Sequence, residues 1–247
     1  MKVSIIILTC NQCRTTLECL ASLGQLPDDI EIILVDNGSS DSTISEVSRL
    51  YPRVIIVPLQ ENIGVARGRN AGILHARGRY IMLLDNDTLP TAGAVMSLAA
   101  YLDAHPTCAL VAPRLVDSAG HTQRSFRPFP GITEKISSLL RLTPDIVPPD
   151  TIPDAPFSPF YVIGAAQLIR RSVFDQIGLL DENIFYGPED ADLCTRIRRS
   201  GLGEIIFLPS VVIVHHWQRA SRSPFSPLWR RHLVSLLHFY RKHRRLC

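Results

Sequence analysis

Tyr80-Ile81-Met82-Leu83-Leu84-Asp85-Asn86-Asp87-Thr88 is an apolar run that ends in two aspartates one residue apart. Such a run suits a strand buried on both faces of a parallel sheet, and ligands of these sheets bind just beyond the carboxyl ends of the strands. Side chains alternate along an extended backbone. Asp85 and Asp87 therefore point the same way and can converge on one hard cation and a diphosphate, while Asn86 faces elsewhere. Taken alone, Asp-Asn-Asp also reads as an ordinary Asx turn, so the rest of the chain has to decide.

Upstream, strands and helices alternate. A strand over 3 to 9 precedes a helical pattern at Thr15 to Leu23, and a strand from Glu31 to Val35 runs into Asp36. In the turn-rich segment that follows, Ser40 or Asp41 can cap a helix over Thr43 to Tyr51. A strand at Val54 to Pro58 and a glycine-punctuated helix over 65 to 76 lead into the aspartate-tipped strand. Repeated βαβ units predict a parallel, right-handed wound sheet, here a nucleotide-binding Rossmann-like layer. Downstream, the pattern predicts a helix at Ala92 to Ala104, a strand at Ala109 to Ala112 and a hairpin turn at Asp117 to Gly120. Eight prolines between Pro128 and Pro159 exclude a long regular element across most of that stretch, although Thr133 to Leu142 can form one helix. The stretch reads as a variable loop over the site. A last strand, Val211 to Val214, ends at His215 and His216.

A 247-residue chain with 46% hydrophobic residues can bury a full core. Its start reads as a first strand rather than a secretory signal, and no apolar stretch approaches the about 20 residues that span a bilayer. These features predict a cytoplasmic chain. The six cysteines form no framework, so no disulfide is expected, and the Cys10-Cys13 pair lacks the partner ligands of a zinc site. After Glu204 there are eight Lys and Arg and no acidic residue, against a net charge of +3 for the whole chain. A basic terminal segment on a net acidic body points to a local anionic partner.

Several ordered motifs together resemble the family 2 glycosyltransferases, the inverting group with the GT-A fold, and most closely their bacterial rhamnosyltransferase-like branch. These are Val3-Ser4-Ile5-Ile6-Ile7-Leu8-Thr9-Cys10-Asn11; Val35-Asp36-Asn37-Gly38-Ser39-Ser40-Asp41; Glu61-Asn62-Ile63-Gly64 with Arg69-Asn70-Ala71-Gly72; Asp85-Asn86-Asp87; Gly164-Ala165; Glu189-Asp190-Ala191-Asp192-Leu193-Cys194; and His215-His216. The family usually carries an aromatic residue where Cys10 stands. The resemblance implies an α/β GT-A domain over 1–247, with a mostly parallel central sheet. Residues 1–105 would form the nucleotide-sugar half, 106–217 the acceptor and catalytic half, and 218–247 a basic tail.

The resemblance also implies roles. Asp36 would bind the nucleotide by accepting from a base N–H or ribose hydroxyl. Thr9, Asn11 and Asn62 would line that pocket, and Arg69 and Asn70 would lie near the nucleotide or diphosphate, with Arg67 competing for the phosphate. Asp87 would be the principal ligand of Mg²⁺ or Mn²⁺, Asp85 a ribose or supporting group, and either His216 or His215 a third ligand. Asp190, opening a helix after Gly187-Pro188, would be the catalytic base, with Gly164 at the substrate. Glu189 would contact acceptor hydroxyls, and Asp192 would hold either the loop or the acceptor. The implied reaction moves one sugar with inversion from a UDP- or dTDP-sugar, rhamnose being the named candidate. Its acceptor would be a cell-envelope glycan or a lipid-linked one.

From Trp229 onward, Trp229, Leu233, Leu236, Leu237 and Tyr240 recur at helical spacing opposite Arg231, Ser235, His238, Lys242 and Arg245. This amphipathic basic helix would either rest on anionic lipid at the inner face of the plasma membrane or pack on the body. Nucleic acid fits less well, because the aromatics lie on the apolar stripe rather than between the charges. Two competing functions remain. A nucleotidyltransferase would need a Gly-rich, Lys-containing phosphate loop that the first strand-helix turn lacks. A non-catalytic nucleotide-sugar-binding module would not need both Asp87 and Asp190.

Overall fold

The computed structural model describes residues 1–129, 131, 144–148, 151–217 and 227–243. The predicted helix at Thr133 to Leu142 lies outside them.

The strands are β1 Val3–Thr9, β2 Ile30–Asn37, β3 Ile55–Leu59, β4 Tyr80–Asp85, β5 Thr88–Leu89, β6 Cys108–Val116, β7 Phe126–Arg127, β8 Tyr161–Val162, β9 Ala166–Arg170 and β10 Glu204–His215. The helices are α1 Cys13–Leu23, α2 Thr43–Leu50, α3 Val65–His75, α4 Ala92–Ala104, α5 Arg171–Ile177, α6 Glu189–Ser200 and α7 Pro227–His243. Eight strands form one sheet in the order β3-β2-β1-β4-β9-β6-β10-β5. The β1-β2, β2-β3, β1-β4 and β6-β10 pairs are parallel, whereas β9 runs antiparallel to both neighbours and β5 antiparallel to β10. The mostly parallel sheet is as the βαβ pattern predicts.

The apolar strands are buried on both faces. Val3, Ile5 and Ile7 enter the core layer that α1 and α4 cover, while Ile6 enters the layer under α3 and α6. Met82 and Leu84 divide from Ile81 and Leu83 in the same way, the alternation a pleated strand dictates. Helix α3 lies close to the sheet because two of its turns carry no side chain there. A Cβ on Gly72 would sit 2.5 Å from an Ile6 methyl, and one on Gly68 would sit 2.5 Å from a Leu8 methyl. That close seating brings Arg69 under the tip of β4.

The predicted turn after β6 is present, with Gly120 N–H donating to Asp117 C=O at 3.0 Å. Strands β6 and β10 are longer than the sequence pattern predicts, and β9 and α5 are additional to it. The five described cysteines are free thiols.

Helix α7 packs on the body through a face that lies between its apolar and basic stripes. Ser235, Phe239 and His243 are buried, whereas Val234 and Leu237 are more than half exposed. Ser235 Oγ accepts from Phe185 N–H, and Lys242 and His238 both reach Asp181 Oδ2, at 2.6 and 2.9 Å. Body carboxylates draw the basic side of the helix inward.

Candidate active site

The tip of β4 presents Asp85, Asn86 and Asp87, and their side chains part as an extended backbone requires. Asn86 turns beneath α1, donating to Gln12 Oε1 at 2.8 Å and lying within 3.2 Å of the Thr9 and Thr16 hydroxyls. Asp85 and Asp87 turn to the other side, where His215 from the end of β10 meets them. One ligand atom from each lies within 4.8 Å of the others, and His215 Nε2 is 3.4 Å from Asp87 Oδ1. Two carboxylates and an imidazole are hard-to-borderline donors that could hold a divalent cation. Between the two terminal histidines the geometry selects His215. His216 is exposed, and its backbone N–H is 2.8 Å from Asp87 C=O. The far side of the His215 ring is held by Gln123, whose Oε1 is 2.7 Å from Nδ1. The sequence carries no signal for Gln123, which reaches His215 through a turn 92 residues earlier.

Beneath Asp85 lies Arg69, only 2% exposed. Its Nη2 donates to Asp85 Oδ1 at 2.6 Å and to Gly164 C=O at 2.8 Å, and its Nη1 donates to Glu189 Oε1 at 3.2 Å. Burial opposes the guanidinium charge, but Asp85 and Glu189 offset it and raise its pKa. Arg69 is therefore engaged inside the protein, directly beneath the acidic cluster. The competing Arg67 pairs at the surface with Glu182, 3.3 Å away. Asn70 is likewise buried, bonded to both backbone groups of Leu180 through its amide, which anchors that loop.

Helix α6 opens with Glu189 and Asp190. Asp190 is half-buried, and its carboxylate accepts from Ala191 N–H at 2.6 Å and from Gly164 N–H at 3.1 Å. Gly164 has no room for a side chain, since a Cβ there would lie 2.5 Å from Arg69 Nη1. Glu189 is turned inward rather than toward an acceptor. Burial and the neighbouring Asp190 push its carboxyl up, and Arg69 opposes them. Asp192 is fully buried and takes Arg196, Lys242 and His243 at 2.8, 2.7 and 2.8 Å. Through these contacts Asp192 joins α6 to α7.

At the end of β2, Asp36 is 1% exposed. Its Oδ2 accepts from Ser39 N–H at 2.9 Å, while Oδ1 is buried with no donor among the described residues. A buried acceptor without a donor is costly, so this atom fits an N–H or O–H supplied by a ligand. Asn11 pins the adjoining loop, accepting from Ser40 N–H at 2.7 Å, with its own N–H donating to Ser39 Oγ at 2.8 Å. Asn62 lies exposed at the mouth, its Nδ2 3.6 Å from Cys10 Sγ. Thr9 is buried in the Asn86 network, so its hydroxyl shapes the β1 end from below rather than lining an open pocket.

The chain is similar in sequence and in fold to known proteins. Over 91% of this chain and 79% of its own length, the N-acetylglucosaminyl-diphospho-decaprenol L-rhamnosyltransferase of Mycobacterium tuberculosis is 25% identical. The crystal structure of GalNAc-T7 with UDP, GalNAc and Mn²⁺ superposes with a TM-score of 0.70 at 18% identity, covering 94% of this chain and 47% of that one. The mannosyltransferase PcManGT from Pyrobaculum calidifontis, in complex with GDP-Man and Mn²⁺, gives 0.66 at 21% identity over 99% of this chain and 64% of its own. This chain thus spans under half of GalNAc-T7 and about two thirds of PcManGT. These superpositions show the GT-A fold. The sequence pattern of Glycosyl transferase family 2 matches residues 4–178, and with it the chain belongs to that family of glycosyltransferases.

Proposed function

We propose that the chain transfers one sugar, with inversion, from a UDP- or dTDP-sugar to a hydroxyl of a cell-envelope glycan or lipid-linked acceptor. One observation carries the reading: the base and the acidic cluster are joined through two residues. Gly164 donates its N–H to Asp190 and accepts Arg69 at its C=O, and Arg69 donates to Asp85. The group that would deprotonate the acceptor is thereby fixed relative to the group that would hold the donor. Rhamnose is the leading donor sugar, supported by the activity for which the mycobacterial relative is named.

Asp36 Oδ1 accepts from the nucleotide, and the loop pinned by Asn11 closes around it. Asp85, Asp87 and His215 would hold Mg²⁺ or Mn²⁺. That cation, when bound, neutralises charge on the departing diphosphate. Asp190, oriented by two backbone N–H groups, takes the proton of the acceptor hydroxyl, which attacks the anomeric carbon opposite the leaving group. Attack from that side inverts the anomeric centre.

The acceptor side of the reading includes a peripheral contact with anionic lipid on the cytoplasmic face of the membrane. It is supported by the exposed Val234 and Leu237 of α7 with the exposed Arg230 and Arg241 one turn beyond each. No helix among the described residues is long and apolar enough to cross a membrane.

The test is nucleoside diphosphate release from UDP-, dTDP- and GDP-sugars with Mn²⁺ or Mg²⁺, for wild type, Asp87→Ala and Asp190→Asn. Metal-dependent release from one donor is expected, lost in Asp87→Ala. Asp190→Asn should keep nucleotide binding and lose transfer by about 10²- to 10⁴-fold. Absence of release from every donor, with no metal-dependent nucleotide binding, would instead identify a non-catalytic module.

A further inference from the structure

The His215 ring has two distinguishable nitrogens, and what each can do is set by a chain of hydrogen bonds that begins at a backbone carbonyl. Gln123 is buried, 3% exposed, and its main chain is anchored through Gln123 N–H to Leu115 C=O at 2.8 Å. Its side-chain Nε2 lies 2.8 Å from His215 C=O, and its Oε1 lies 2.7 Å from His215 Nδ1. A carbonyl oxygen only accepts, so the amide NH₂ must face it. The opposite flip would set two acceptors against each other. With the amide fixed, Oε1 is an acceptor facing Nδ1, so Nδ1 must carry the hydrogen. In the neutral imidazole Nε2 is then the lone-pair nitrogen, and it is the atom turned toward Asp87 Oδ1 at 3.4 Å. That distance is longer than a charge-assisted hydrogen bond, about 2.7–2.9 Å.

We propose that Gln123 is a positioning residue that holds His215 as the Nδ1–H tautomer, keeping the Nε2 lone pair aimed at the space between His215, Asp87 and Asp85. The inference rests on reading that cluster as the cation site, and it adds the group that makes the imidazole ready to ligate. Without the amide, neutral His215 would place its hydrogen on Nε2 and donate it to Asp87, so a cation would have to displace that hydrogen bond before binding. The placement of Gln123 serves this end. The turn after β6 carries it to the tip of β10, where His215 is already paired in register with Thr88.

Two readouts on the whole chain test the proposal. The first is ¹⁵N NMR of the imidazole nitrogens in metal-free protein at alkaline pH, where the ring is neutral, with His215 assigned by its loss in His215→Asn. Wild type should show the Nδ1–H form. Gln123→Met, similar in shape but without the amide, should change to Nε2–H, and Gln123→Glu, which retains an acceptor facing Nδ1, should restore Nδ1–H. The second is Mn²⁺ affinity by electron paramagnetic resonance, expected to weaken about 10- to 100-fold in Gln123→Met and to recover at least partly in Gln123→Glu. An Nε2–H ring in wild type overturns the proposal whatever the metal does. An unchanged tautomer and unchanged Mn²⁺ affinity in Gln123→Met overturns it as well. An Nδ1–H ring in wild type with no Mn²⁺ binding supports the role of Gln123 and rejects the cation site instead. Should Gln123→Met fail to fold, the wild-type tautomer and the Gln123→Glu affinity decide.

Discussion

Arg69 Nη2 lies 2.6 Å from Asp85 Oδ1 and is buried beneath it, so the first aspartate of the β4 tip rests on a cation contributed by α3. The same guanidinium holds Gly164 and Glu189. Removing one partner of a buried ionic network leaves the others uncompensated, which costs more than the network contributes intact. Arg69→Ala strands Asp85 and the buried Glu189 together. The expected loss is about 3–5 kcal/mol, or roughly 10 °C in melting temperature for a chain of this size. Arg69→Lys keeps the charge but not the fork that serves three acceptors, so it should melt between the two while losing most transfer activity. Thermal denaturation of both variants checks this, and a wild-type melting temperature in Arg69→Ala would refute it.

Asp36 offers a cleaner separation of binding from folding. Its Oδ2 is engaged by Ser39 N–H, while Oδ1 has no donor among the described residues. Asp36→Asn can keep the Ser39 bond through its amide oxygen but turns an NH₂ toward the ligand in place of an acceptor. The ligand-free protein should melt within a degree or two of wild type, whereas affinity for UDP or dTDP should fall about tenfold or more. Calorimetric titration with each nucleotide measures it. An equal drop in stability and affinity would mean that the carboxylate serves the fold.

Legibility of the fold followed the continuity of its signals. The helix from Ala92 to Ala104 and the strand ending at Asp85 stand as the apolar pattern predicts, because neither is interrupted. Strands β6 and β10 were cut short at Pro113 and Pro209, residues that normally end a strand. The structure carries both strands past them. Pro113 pairs with Leu208, and a register shift between Leu208 and Val212 absorbs Pro209. Strand β9 is five residues long and runs directly into α5, so no turn residues delimit it. The carboxylates of the site were legible as types. Their partners were not, because Arg69 reaches residues 16, 95 and 120 positions away, contacts that only the folded chain creates. The direction in which Glu189 and Asp192 turn was hidden for the same reason.

The α6-α7 junction predicts a pH dependence. Burial pushes the Asp192 carboxyl up, but His243, Arg196 and Lys242 outweigh it and hold the group down at about 2. A carboxyl with a depressed folded value contributes its full stability above the unfolded value, about pH 4, and that contribution is lost as pH falls through the folded value. Between pH 4 and pH 2 wild type should therefore lose stability faster than Asp192→Asn, which starts less stable at pH 7 and has no carboxylate to protonate there. Asp181, also held low by Lys242 and His238, is present in both proteins. Urea unfolding at pH 5, 4, 3 and 2 measures the two slopes. Parallel curves would show that the junction does not draw on the Asp192 charge.

The outward face of α7 sets the remaining prediction. Arg230, Val234, Leu237 and Arg241 follow one another at spacings of four, three and four, which places them on a single stripe of a helix with 3.6 residues per turn. All four are exposed, while Ser235, Phe239 and His243 on the opposite side are buried against the body. The inward ties of Lys242 and His238 to Asp181 fix this orientation, so the stripe faces out whether or not anything covers it. An apolar centre flanked by arginines matches the boundary of an anionic bilayer, where each cation adds about 1 kcal/mol and the side chains between them enter the acyl edge. Wild type should sediment with phosphatidylglycerol vesicles and not with phosphatidylcholine vesicles, and less so as salt is raised, because screening shortens the reach of the arginines. Val234→Glu with Leu237→Glu should stay in the supernatant at an unchanged melting temperature, since neither side chain is part of the packed face. Equal sedimentation of wild type with both lipids, or of the double variant with phosphatidylglycerol, would show that the stripe does not read a charged membrane.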